Sequence, residues 1–168
     1  MPHQVVKATS PKPEETMKVR LVLTLAALSY AIPTLMAQDA MKTIRADEIV
    51  WKDDTTLFKG LQYSDLIGDG SKAGLVITRV KLPPNFKIPL HTHSWSEVVT
   101  VLSGALGNAD SDTDKGEVLK AGSVLAMPAN HPHRIWTTDQ ETIFQFSYTG
   151  PFDMTFVNPA DDPHNKAQ

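Results

Sequence analysis

From residue 75 onward, short apolar-polar alternations are each cut off by a turn-forming residue. Leu75-Val-Ile-Thr-Arg-Val-Lys-Leu82 is rich in β-branched residues and stops at Pro83-Pro84. Glu97-Val-Val-Thr-Val-Leu102 closes at Ser103-Gly104, and Ser123-Val-Leu-Ala-Met127 is bounded by Gly122 and Pro128. Thr142-Ile-Phe-Gln-Phe-Ser-Tyr148 ends before Gly150-Pro151. Period-two runs of β-branched and aromatic residues bounded by Gly, Pro and Asn are strand signals. No window from about Met41 sustains a helical period over four turns. The pattern predicts an all-β sandwich or barrel, with no internal repeat and no second domain. The polar tail from Asn158 is expected to be loose.

Upstream the pattern changes. Met17-Lys18-Val19-Arg20 carries two positive charges directly before Leu21 to Ala37, a stretch without a charged residue. A basic start, an apolar run and small residues at its end are the signature of a secretory signal peptide. Cleavage is expected after Ala37, giving a chain that starts at Gln38. An uncleaved membrane anchor is the weaker alternative, because the run falls short of the roughly 20 residues that span a bilayer and Pro33 interrupts it. The expected organisation is an upstream extension over 1–16, a signal peptide over 17–37 and one domain over 38–168, with its core at about 47–162. Localisation is then periplasmic or secreted, with no membrane association after cleavage.

Composition narrows the chemistry. With 168 residues, 41% of them hydrophobic, the chain has room for one ordinary core. The net charge of −3 comes without a basic run, so nucleic acid is not an expected partner. Removal of 1–37 takes away four Lys/Arg and two Glu and leaves −5. Since the chain has no cysteine, any metal must be held by His and carboxylate.

Four of the six histidines fall in two tight clusters, His91/His93 and His131/His133. In the run HTHSWSE, His91 and His93 share parity and leave an extended chain on one face. Glu97 has the same parity and joins them if the strand continues without a bulge. Two imidazoles and a carboxylate on one face suit iron, manganese, nickel, copper or zinc. A surface HxH beside an unrelated glutamate is the plainer reading of that run alone.

The second cluster is what tips the balance. Residues 122–137 read G-x5-P-x-N-x2-H-x3-T, and residues 85–104 read N-x5-H-x-H-x3-E-x6-G. Together these resemble the two motifs of the cupin superfamily, G-x5-H-x-H-x3or4-E-x6-G and G-x5-P-x-G-x2-H-x3-N. The resemblance spans roughly Asp47 to Asp162 and extends to the ending Tyr148-Thr-Gly-Pro-Phe152, which looks like that of small bacterial single-domain cupins. It implies a jelly-roll β-barrel with one divalent transition metal ion on His91, His93, Glu97 and His133. Gly104, Gly122 and Pro128 keep their turn positions. Asn85 and Asn130 replace motif glycines, and asparagine is the residue that best tolerates a left-handed backbone in glycine's place. Thr137 replaces a final Asn, and Ser147 stands where such cupins commonly have a histidine.

Other candidates weigh less. His131 is expected at the rim, and Trp95 and Trp136 in core or rim packing. Gln145 and Tyr148 are potential hydrogen-bond partners near the metal. Asp110-x-Asp112-x-Asp114 starts like a calcium loop, but Lys115 takes the place of the sharp-turn glycine and Ala121 that of the closing glutamate. It reads as a solvated hairpin loop. The resemblance implies precedents among dioxygenases, decarboxylases, isomerases and non-enzymatic binders, and fold alone does not choose. The functional expectation is a metal-dependent, dioxygenase-like oxidoreductase acting on a small organic molecule. The alternative is a non-catalytic periplasmic module that binds or senses a metal or small ligand. A homodimer is expected, because open sheet edges need covering.

Overall fold

The computed structural model describes residues 41–166; the expected extension and signal peptide lie outside the described residues. Eleven strands follow a short 3-10 turn at Ala46–Glu48. They are β1 (Lys52–Asp53), β2 (Gln62–Ile67), β3 (Gly74–Leu82), β4 (Lys87–Thr92), β5 (Glu97–Ser103) and β6 (Ala105–Ala109). Then come β7 (Glu117–Lys120), β8 (Val124–Met127), β9 (His133–Thr137), β10 (Thr142–Gly150) and β11 (Thr155–Phe156). They form two antiparallel sheets, ordered β1-β2-β3-β10-β5-β8 and β11-β4-β9-β6-β7. This is the all-β architecture that the alternating pattern predicts, arranged as the jelly roll that the resemblance to cupins implies.

The alternation decides what each sheet buries. Along β3, Val76, Thr78, Val80 and Leu82 are buried, and along β10 Thr142, Phe144, Phe146 and Tyr148 are. These inner faces meet Ile88, Leu106 and Ile135 of the other sheet in one core cluster. Leu82 and Leu106 are wholly shielded from solvent, where truncation to alanine typically costs about 2–5 kcal/mol. Ser147 and Gln145 have the opposite parity to Phe146 and Tyr148. Gln145 turns away from the core and accepts a hydrogen bond from Arg79 Nε at 3.2 Å. A histidine at position 147 would therefore share Gln145's side of the sheet, and its absence leaves the barrel interior unchanged.

Both asparagines at motif glycine positions sit in the left-handed region, Asn85 at φ 58° and Asn130 at φ 61°. Asn130 N–H donates to the His93 carbonyl at 2.7 Å, tying the second motif's turn to the first motif's histidine. Gly104 has φ 73°, and a Cβ there would lie 2.4 Å from the Glu141 carbonyl oxygen, so only glycine fits. Thr137 does what a hydrogen-bonding residue at that place can do. Its hydroxyl donates to the Pro83 carbonyl at 2.7 Å and accepts from Phe86 N–H at 2.8 Å, which pins the turn that leads into β4.

The tail differs from expectation. Instead of a loose end, Pro159–Asp161 and Pro163–Lys166 form 3-10 turns. Asn158 caps the first by accepting from Ala160 N–H at 3.1 Å, and Asp162 accepts from His164 N–H at 2.9 Å. Polarity is no guide to order here, because Asn and Asp side chains complete the local backbone hydrogen bonds themselves.

Candidate metal centre

β4 and β9 are neighbours, and their register sets His91 directly opposite His133. Side chains at opposed positions of an antiparallel pair leave on the same face, and these two rings lie 4.2 Å apart between centroids. His93, two residues on, returns to that face, with its ring 4.9 Å from His91 and 5.4 Å from His133. One ring nitrogen from each lies within 4.8 Å of the others, and all three residues are buried.

Each ring is also oriented from behind. His91 Nδ1 lies 2.7 Å from the Pro89 carbonyl, and His133 Nδ1 lies 3.1 Å from the His131 carbonyl. His93 Nδ1 meets the carbonyl of Asp153, whose carboxylate also accepts from Ser94 N–H at 2.9 Å. A carbonyl only accepts, so these contacts place the proton on Nδ1 and leave the Nε2 lone pair free. Burial above all, with His133 adding to it, lowers the His91 pKa to about 3. Burial also lowers that of His93, although the Glu97 charge works against it. Neutral imidazoles with exposed lone pairs are what a metal requires of histidine.

Glu97 reaches this group by a different route from the one its parity suggests. The strand does not run on: the chain leaves β4 at Thr92, turns through Ser94–Ser96 and enters β5 in the other sheet. Glu97 thus faces the histidines from across the barrel. Its Oε1 lies 3.1 Å from His133 Nε2 and 3.9 Å from His93 Nε2. The shorter contact is close enough for a hydrogen bond, yet both atoms are buried without one. With the proton on Nδ1, a lone pair faces a lone pair. One buried polar group left unpaired costs about 1–3 kcal/mol, and two facing each other are tolerable when a cation sits between them. The donor set therefore fits a metal ion, and the three buried histidines can form its site.

These four residues line a cavity of about 430 Å³. Its walls are largely apolar and include Phe144, Phe146 and Tyr148 from β10, joined by Phe58 and Phe152. Trp95 lies behind the wall, stacked on His93 at 4.3 Å and on Tyr148 at 4.3 Å. Burial, helped by the charges of Asp65 and Asp69, pushes the Tyr148 phenol up to about 12 despite a hydrogen bond with Thr78. The hydroxyl therefore stays protonated.

The lesser candidates divide. His131 does not line this cavity; its side chain pairs with Asp110 at 3.2 Å, and only its carbonyl serves the site. Trp136 lies outside, under the Arg134 guanidinium at 4.6 Å and against Gly107, where a Cβ would sit 1.9 Å from the indole. The aspartate run is the β6–β7 hairpin loop, as expected, with Asp114 accepting from Gly116 N–H at 3.0 Å. Asp65, Thr78 and the Asp153 carbonyl carry no motif and escape sequence reading, since their place depends on strand register.

A model of the Cupin domain matches residues 78–146, a span that holds all four clustered residues. Among solved structures, the chain resembles the polyketide cyclase RemF from Streptomyces resistomycificus at 24% identity and TM-score 0.64, covering 74% of this chain and 91% of that one. A candidate acetylacetone dioxygenase from Methylibium petroleiphilum PM1 aligns at 18% identity and TM-score 0.59, covering 75% and 87%. DMSP lyase DddQ from Ruegeria pomeroyi DSS-3 aligns at 19% and TM-score 0.56, over 67% of this chain and only 63% of the lyase. At such identities the likeness is one of fold. No curated protein matches the sequence.

Proposed function

Because the chain belongs to the cupin superfamily, we propose that it is an exported metal-dependent oxidoreductase, dioxygenase-like, that acts on a small organic molecule. His91, His93, His133 and Glu97 would hold one divalent transition metal ion. The observation that carries this reading is the pair of buried, unpartnered atoms, His133 Nε2 and Glu97 Oε1, in the lining of a largely apolar cavity. Three imidazoles and one carboxylate leave coordination positions open, and a metal so bound supplies Lewis-acid and redox chemistry at a site open to a substrate. The fold neighbours include a candidate dioxygenase, a cyclase and a lyase, so the reaction class is inferred from the site.

The chain's own residues perform the remaining tasks. Three backbone carbonyls fix the rings and their tautomer. Phe144, Phe146 and Phe152 exclude water from the space over the histidines, which strengthens electrostatic interactions there. Tyr148, held protonated, keeps a neutral phenol on the same wall. Elemental analysis of the protein purified from its native compartment, together with substrate-dependent oxygen consumption, tests the reading. One equivalent of iron, manganese, nickel or copper with turnover is expected. Zinc without turnover would instead favour the binding or sensing module.

Export and self-association belong to the same proposal. Mass spectrometry of the mature protein should find an N-terminus near Gln38. A homodimer is supported by the open edge at β8, where Val124 is exposed close to exposed Val98 of β5. Light scattering at micromolar concentration checks it.

A further inference from the structure

We propose that the cavity selects a small, mostly apolar molecule carrying a hydroxyl or protonated amine, and that Asp65 makes the selection. The inference rests on the reading that this cavity receives the substrate.

Register places Asp65 of β2 opposite Thr78 of β3, and Thr78 opposite Phe146 of β10. These residues form one rank across the inner face, and all three line the cavity. Among the described residues, no lysine or arginine lines it. Three aspartates do, and their situations differ. Asp54 is consumed by the local backbone, accepting from Thr56 N–H at 2.8 Å, Leu57 N–H at 3.1 Å and Phe58 N–H at 2.9 Å. Asp69 accepts from Ser71 N–H at 3.0 Å and pairs with the exposed Lys72 at 2.6 Å. Asp65 accepts only from the Thr78 hydroxyl, at 2.7 Å, and among the described residues it forms no ion pair.

One half-buried carboxylate with spare lone pairs is thus set in an apolar wall. A ligand donor satisfies it. A ligand carboxylate set against Asp65 meets a like charge with no lysine or arginine of the lining to offset it, in surroundings where water screens poorly. The aromatic faces of Phe58, Phe146, Tyr148 and Phe152 accept either an apolar body or a cationic head. Glu97 Oε1 and His133 Nε2, each more than nine-tenths buried, unpartnered and part of the same lining, mark the place of the metal beside which such a ligand would sit.

Three probes of one shape separate the possibilities: phenethylamine, phenethyl alcohol and phenylacetate. Each is titrated calorimetrically into the full-length protein as purified, and metal content is measured on the same samples. The amine and the alcohol should bind at millimolar concentration or below. Asp65→Asn should cut the amine-to-phenylacetate affinity ratio at least tenfold, the scale of one charge-assisted hydrogen bond, while leaving metal content unchanged. Comparing the ratio between the parent and the variant at equal metal content cancels any direct hold of the metal on phenylacetate. Should Asp65→Asn misfold, Asp65→Ser serves the same comparison. An unchanged ratio, or no binding of either donor probe, overturns the proposal. A metal-free protein that shows the expected ratio would instead overturn only the metal-dependent function.

Discussion

The molecule holds two groups of histidine and carboxylate, and they behave in opposite ways. His91, His93, His133 and Glu97 are buried, their rings are fixed by carbonyls, and two of their polar atoms lack partners. His131 and the aspartates of the β6–β7 loop lie at the surface, where Asp110 takes up His131 and Asp114 takes up a loop amide. Among the described residues, only the first group brings three ligand atoms within coordinating reach of one another. Residue type is common to both. What separates them is that the first group is desolvated and left with lone pairs that nothing in the chain satisfies, whereas the second has already spent its polar capacity locally or on water.

Replacing His133 should break this contrast most completely. His133→Ala is expected to lower bound metal from one equivalent to near zero by elemental analysis, and to leave a folded barrel by circular dichroism. If His131→Ala lost the metal and His133→Ala kept it, the second motif would be misread by two residues.

Acid should bear on His91 and His93. In the metal-free protein His91 and His93 are held neutral in the fold, while in the unfolded chain they titrate near ~6.5. The unfolded state then binds more protons, so stability is fully present above about pH 6.5. It falls as the pH drops toward about 3, where His91 titrates in the fold. The loss approaches about 1.4 kcal/mol per pH unit for each histidine. Urea titrations between pH 7 and 4 measure it, and bound metal should shift the curve to lower pH and be released as it does. A flat profile for the metal-free chain would show that these histidines are not buried neutral.

A smaller effect sharpens the role of the turn behind His93. Asn130→Ala should cost about 1–2 kcal/mol, the penalty for a Cβ in the left-handed region without asparagine's local hydrogen bonding, while Asn130→Gly should cost little. Chemical denaturation of the two variants tests this. The smallest change belongs to the exposed group: His131→Ala should alter stability by about 0.5 kcal/mol or less and leave the metal in place, because exposed ion pairs contribute little.

Much of this was legible beforehand, and the reasons differ by residue. Asn85 and Asn130 could be assigned positive φ because few residue types tolerate it. His91 and His93 could be placed on one face because period two is a property of any extended chain. Glu97 could be included, but not its route, since parity says nothing of a crossing between sheets. The carbonyls of Pro89, His131 and Asp153 left no trace, because every residue has one. Asp65 was hidden for a related reason. An aspartate on a strand reads as solvent-facing until the rest of the sheet is known, and here β3 beside it and β10 beyond supply Val80, Phe144 and Phe146 to the same cavity wall.

The segment around β11 has a consequence for the order of events in the cell. Asp153, which orients His93, and Phe156, which pairs with His91, come some sixty residues after the histidines they serve. A ribosome working from the N-terminus therefore delivers these two histidines well before it delivers what aligns them. Until that last stretch emerges, β4 has no partner on its outer side and His93 has no acceptor for its Nδ1 proton. Chains that end early, just after β10, would carry every ligand and still lack the finished site.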